Sequence, residues 1–153
     1  MARLSRKPEM INIDPHLPAL KRFFAGRGDV LAVYLYGSYG TPEQTPLSDV
    51  DLGVLLRPGV KNKLETLLDI QAAVCAITRQ DDVNVVILNE LPVLMQFNIV
   101  STGRLIHQRD PEAVSDFLEM VCKLYGDSIT DYRAFCAEYD AALREAYLSG
   151  QQG

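Results

Sequence analysis

Apolar residues Leu17, Leu20, Phe23 and Phe24 recur at helical spacing between His16 and Arg27, and Gly26 and Gly28 follow as stop signals. That pattern predicts a short first helix. Val30 to Gly37 is instead rich in β-branched and aromatic residues and Val50 to Leu56 is nearly as apolar, the signature of strands covered on both faces. Arg57-Pro58-Gly59 closes the second run. From Val60 to Arg79 the positions Val60, Leu64, Leu67, Ile70, Val74 and Ile77 form one helical stripe. Val83 to Leu88 predicts a third strand, and Pro92 to Ser101 a helix opened by proline and stopped before Gly103. Arg104 to Gln108 suits a short edge strand. The first dozen residues show no period and read as a loose arm or a short edge element.

The C-terminal third steps by three or four residues throughout, from Val114, Leu118 and Val121 to Cys136, Leu143 and Tyr147. One long helix, or two joined near Gly126, produces this pattern. A continuous helix would be on the order of 50 Å long at ~1.5 Å per residue, more than a domain of this size spans. Part of the stripe should then meet a partner outside the domain. Tyr125, Tyr132, Tyr139 and Tyr147 read first as packing on one helical face and second as an interface, homomeric or with another protein. Lys123, Arg133 and Arg144 are expected on the solvated side, paired with Glu119, Asp140 or Glu145. The order of elements predicts an α+β fold, a small mixed sheet packed on helices. Residues 1–110 form the core, and residues 111–149 are a helical extension of the same domain.

Composition narrows the function. A chain of 153 residues suits one compact domain, and 48% apolar with 23% charged residues is ordinary for a globular protein. A net charge of -5, with both signs mixed along the chain, argues against a general grip on nucleic acid. Cys75, Cys122 and Cys136 lie far apart with no CxxC pair, and read as buried thiols in a reducing compartment. No signal peptide stands at the N-terminus and no apolar run reaches membrane-spanning length, so the expected location is the cytoplasm. His16 and His107 have no metal partner at short spacing and read as structural.

The chemistry concentrates at one place. Gly37-Ser38 ends the first strand, and after ten residues Ser48-Asp49-Val50-Asp51 opens the second. Side chains two apart on a strand share a face, so Asp49 and Asp51 project together. Two carboxylates that close repel unless a cation lies between them, and Mg²⁺ suits oxygens on one side with water and phosphates on the other. Glycine lets backbone approach a ligand, and a serine hydroxyl beside exposed N–H groups holds phosphate oxygens. A phosphate cradle next to a metal-binding carboxylate pair is the minimum site for nucleotidyl or phosphoryl transfer.

Gly37-Ser38, ten residues, then Asp49-Val50-Asp51 resembles the signature of polymerase-β-like nucleotidyltransferases. The flanking VYLYGS and PLSDVDLGVLL resemble the minimal nucleotidyltransferase (MNT) group, the antitoxins of HEPN–MNT toxin–antitoxin pairs, over Val30 to Gln108. The resemblance implies a nucleotidyltransferase palm and Mg²⁺ on Asp49 and Asp51. It also implies that Gly37, Ser38 and Ser48 bind the nucleotide. ATP is the implied substrate, and a tyrosine of a HEPN toxin the acceptor of AMP. A third carboxylate is usual on a neighbouring strand, and here Asn84 occupies that place, with Asp82 two residues earlier as the other candidate. An amide offers an oxygen to a metal but takes no proton. The Arg-containing stretch common after Gly-Ser is replaced by Tyr39-Gly40-Thr41-Pro42, and Pro42 and Pro46 stiffen the loop. The resemblance thus implies an AMP-transferring antitoxin. The alternatives are an antitoxin that acts by occlusion, and transfer to a small molecule such as an aminoglycoside, for which one short domain leaves little acceptor pocket unless a dimer provides it.

Overall fold

The computed structural model describes residues 10–152. Its elements run α1 (Leu17–Ala25), β1 (Val30–Tyr36), β2 (Val50–Leu56), α2 (Lys63–Thr78), β3 (Val83–Ile87), α3 (Val93–Thr102), β4 (Arg104–Gln108) and α4 (Pro111–Gln152). The strands form one mixed sheet in the order β3-β2-β1-β4. β1 lies antiparallel to both β2 and β4, whereas β2 and β3 are parallel and need the crossover that α2 supplies.

Both faces of the sheet are covered, which is why β1 and β2 lack a polar–apolar alternation. Val33, Leu35, Leu52 and Val54 pack under Leu20, Phe24, Ile70 and Val74 of α1 and α2. On the other face Leu31, Tyr34 and Leu55 meet Leu88, Ile99 of α3 and Val114 of α4. Gly53 makes that second face possible, because a Cβ there would lie 3.3 Å from Leu88 and 3.4 Å from Ile99.

Several sequence expectations are corrected. α2 begins only at Lys63, where Asn62 caps it by accepting from the Glu65 N–H at 3.1 Å. Its buried side is Ile70, Val74 and Thr78, and Leu64, expected on the stripe, is 67% exposed. Of the expected N-terminal arm, residues 1–9 lie outside the described residues. Ile11 is no loose arm: it is buried in the core with Ile13. An irregular extended segment has no period to read, and its burial depends on contacts made far along the chain. The cysteines are free but not buried, Cys122 being exposed and Cys75 and Cys136 half-buried.

α4 is a single helix that passes straight through Gly126. Its 42 residues span roughly 63 Å at ~1.5 Å each. Val114 and Val121 are buried against the domain, whereas Tyr132, Phe135, Tyr139 and Leu143 further along face solvent. The charge pairs expected on this helix are not formed: among the described residues the ion pairs are Arg27–Asp29 and Lys63–Glu90. No helix among the described residues is long and apolar enough to cross a membrane.

Candidate active site

β1 ends at Tyr36, and the chain turns at Gly37 with a φ of 85° that residues carrying a Cβ rarely adopt. The turn continues through Ser38, whose carbonyl accepts from the Thr41 N–H at 3.0 Å and the Thr41 hydroxyl at 2.7 Å. Tyr39 then reaches back to the N-terminal segment. Its hydroxyl accepts from the Ile13 N–H at 2.9 Å and donates to Asp14 Oδ1 at 2.8 Å. Gln44 adds a second tie, accepting from the Gly40 N–H at 2.9 Å and donating to the Ile11 carbonyl at 3.0 Å. The loop between the strands is therefore held in shape by side chains along its whole course.

β2 starts where this loop returns. Asp51 stands opposite Tyr36 across β1 and opposite Asn84 across β3. Asp49 is exposed and Asp51 half-buried. Gly37 closes over the second carboxylate so tightly that a Cβ on it would lie 2.6 Å from Asp51 Oδ2. The Asn84 amide donates to Asp49 Oδ2 at 3.3 Å. Burial pushes the Asp51 carboxyl above the usual carboxylate range, the amide of Asn84 pulls it back, and the charge of Asp49 raises it again. Tyr36 is pushed up to about 12, by burial first and then by the negative charge of Asp51.

These residues fit a divalent cation. Asp49 directly precedes β2 and Asp51 is its second residue, and a cation between them would offset both the burial and, after it, the Asp49 charge that raise the Asp51 proton affinity. Asn84 lies within reach of both, and a turn of its amide presents oxygen in place of nitrogen. Among the described residues no group of three or more His, Cys, Asp or Glu side chains is arranged for a metal. The donor set is thus two carboxylates and a carboxamide, a set that suits an ion which keeps several waters.

The structure brings Gly37, Asp49, Asp51 and Asn84 together. Ser38 follows Gly37 in the same turn, half-buried. Ser48 is engaged in the loop, its hydroxyl accepting from the Thr45 N–H at 2.9 Å. Asp82 precedes β3, and its carbonyl accepts from the Val50 N–H at 2.9 Å. His16 sits in a short 3-10 turn before α1. His107 stacks on Phe24 at 6.3 Å, with its Nε2 buried and unpaired among the described residues. Two residues escaped the sequence reading. Tyr36 was hidden in an apolar run, and Tyr39 could be read only as a missing arginine, although an aromatic ring directly after Gly-Ser was the available signal.

This topology, with a glycine turn closed over a carboxylate pair at the start of the next strand, is a nucleotidyltransferase palm of the polymerase-β type. The model of the polymerase beta nucleotidyltransferase family matches residues 19–112, and the chain belongs to that family. Its fold is similar to several solved structures at low identity. One is a toxin–antitoxin complex with AMP-PNP, with a TM-score of 0.62 and 18% identity, covering 81% of this chain and 95% of that one. Another is a tri-AMPylated Shewanella oneidensis HEPN toxin in complex with an MNT antitoxin, with a TM-score of 0.58 and 18% identity, covering 81% and 92%. A third is the MntA–HepT toxin–antitoxin, with a TM-score of 0.57 and 16% identity, covering 81% and 93%. No curated protein sequence matches the chain.

Proposed function

We propose that this protein is an antitoxin that transfers AMP from ATP to a tyrosine hydroxyl of a HEPN-type toxin. The observation that carries the reading is the carboxylate pair of Asp49 and Asp51 joined by the Asn84 amide, with the Gly37 turn closed over Asp51. Asp49, Asp51 and the Asn84 amide would hold Mg²⁺, which when bound neutralises charge on the triphosphate and orients the phosphorus under attack. Gly37 and Ser38 take the β- and γ-phosphates, since the turn brings backbone close without a side chain in the way. The tyrosine oxygen attacks the α-phosphorus, an O–P bond forms, and the bond to the bridging oxygen breaks, so that pyrophosphate leaves with the electron pair. Asn84 cannot take the proton of the attacking hydroxyl, which therefore passes to water or to a carboxylate.

The solved complexes support this reading, one holding an ATP analogue and another an AMPylated toxin. The neutral amide at position 84 favours a second reading, an antitoxin that has kept the nucleotide shell but silences its partner by covering it. Labelled ATP separates them. With the toxin present, label from the α-phosphate should appear on the toxin and label from the γ-phosphate should not, and Asp49→Asn should abolish the transfer. Neutralisation of the toxin without any transfer of label would support occlusion.

A further inference from the structure

The covered side of α4 continues past the domain as an unused apolar face. Val114 and Val121 are buried, and Tyr125 stacks on Phe97 of α3 with 3.7 Å between ring centroids. At ~3.6 residues per turn the same side runs on through Tyr132, Phe135, Tyr139 and Leu143. These four are 64%, 64%, 57% and 52% exposed, and the Phe135 and Tyr139 rings stack on each other at 6.3 Å. Single exposed apolar residues are ordinary, whereas a contiguous stripe of them marks an interaction surface.

Charge says what covers it. Helical spacing puts Asp131 and Glu138 along one border of the stripe, and Arg133 and Asp140 along the other. None of these takes part in the ion pairs among the described residues. A second copy fits badly in either direction. Antiparallel pairing sets the acidic border against itself, and in-register parallel pairing is opposed by α3, which already covers this side of α4 at Tyr125. The acidic border calls for a basic counterpart on a different chain.

We propose that the distal half of α4 is a docking arm for a helix of the acceptor protein, with an apolar face and Lys or Arg residues along the border that meets Asp131 and Glu138. The proposal rests on the antitoxin reading in taking a HEPN-type toxin as that acceptor. It is independent of whether AMP is transferred.

Binding of the full chain to the HEPN-type toxin, measured without nucleotide, tests it. Tyr139→Glu with Leu143→Glu should weaken binding roughly a hundredfold, because apolar anchors at the centre of an interface dominate its energy. Asp131→Lys with Glu138→Lys should cost about tenfold at low salt, with the loss shrinking as salt rises. Ala134→Glu with Ala141→Glu, on the opposite side, should bind as the parent does, and far-UV circular dichroism should show an intact helix in every variant. Seam variants that bind like the parent, or a parent that does not bind at all, would overturn the proposal. So would a full chain that dimerises and becomes monomeric when the seam is charged. Seam-dependent binding without transfer of AMP would leave the docking arm standing and remove the enzymatic reading alone.

Discussion

Gly37 satisfies two demands at once: its φ of 85° lies where L-residues are strained, and its missing Cβ leaves room for Asp51 Oδ2. Gly37→Ala meets both penalties. Left-handed strain costs ~1–3 kcal/mol, and the approach of the methyl to the carboxylate displaces the group that would hold the cation. The variant should unfold earlier in a thermal melt and lose most of its Mg²⁺-dependent affinity for ATP, measured by calorimetry. Asp51 shows the cost of the site more directly. Its folded pKa lies above the unfolded value near ~3.9, so the folded state holds the proton more tightly than the unfolded chain does. Its destabilising contribution therefore appears as pH rises from about 4 and grows until pH has passed the folded pKa. Asp51→Asn should raise the melting temperature of the metal-free protein at pH 7, abolish the stabilisation given by Mg²⁺, and leave stability at low pH nearly unchanged. Melts across pH with and without Mg²⁺ measure all three effects.

At the scale of elements, the loop between β1 and β2 is a braced structure whose brace lies far away in sequence. Tyr39→Phe deprives the buried Ile13 N–H of its acceptor and should cost ~1–3 kcal/mol in chemical denaturation. Protease cleavage between residues 39 and 48 should quicken with it. Gly126 is the opposite case: nothing lies within 4 Å of a Cβ placed there. Gly126→Ala should stabilise α4 by ~0.5–1 kcal/mol, visible in the helical signal on heating. The same contrast explains what the sequence disclosed. β2 and β4 are legible to the residue because Asp49 and Gly103 bound runs of suitable length, and the carboxylate pair is legible because a period of two is local. The strap through Ile11 and Ile13 is not, since its order comes from Tyr39 and Gln44. Nor is the continuity of α4, because a mid-helix glycine reads equally as a break. The place of Asn84 was legible through the family resemblance alone, because its position opposite Asp51 comes from the register of β3 on β2, which local spacing does not contain.

At the scale of the molecule, a compact palm carries a helix that outruns it, so that one end of the chain holds the carboxylate pair and the other projects an apolar face. In the proposed function the two parts divide the work, the sheet positioning a nucleotide and α4 bringing an acceptor to it. Whether the amide at position 84 leaves that work chemical is the central question. The most direct measurement is the intact mass of the HEPN-type toxin after incubation with this protein, ATP and Mg²⁺, with Asp49→Asn and Asn84→Asp run in parallel. The mass should rise by whole AMP units with the parent, stay unchanged with Asp49→Asn, and rise faster with Asn84→Asp. A toxin held in a stable complex whose mass never changes with the parent protein would contradict the account.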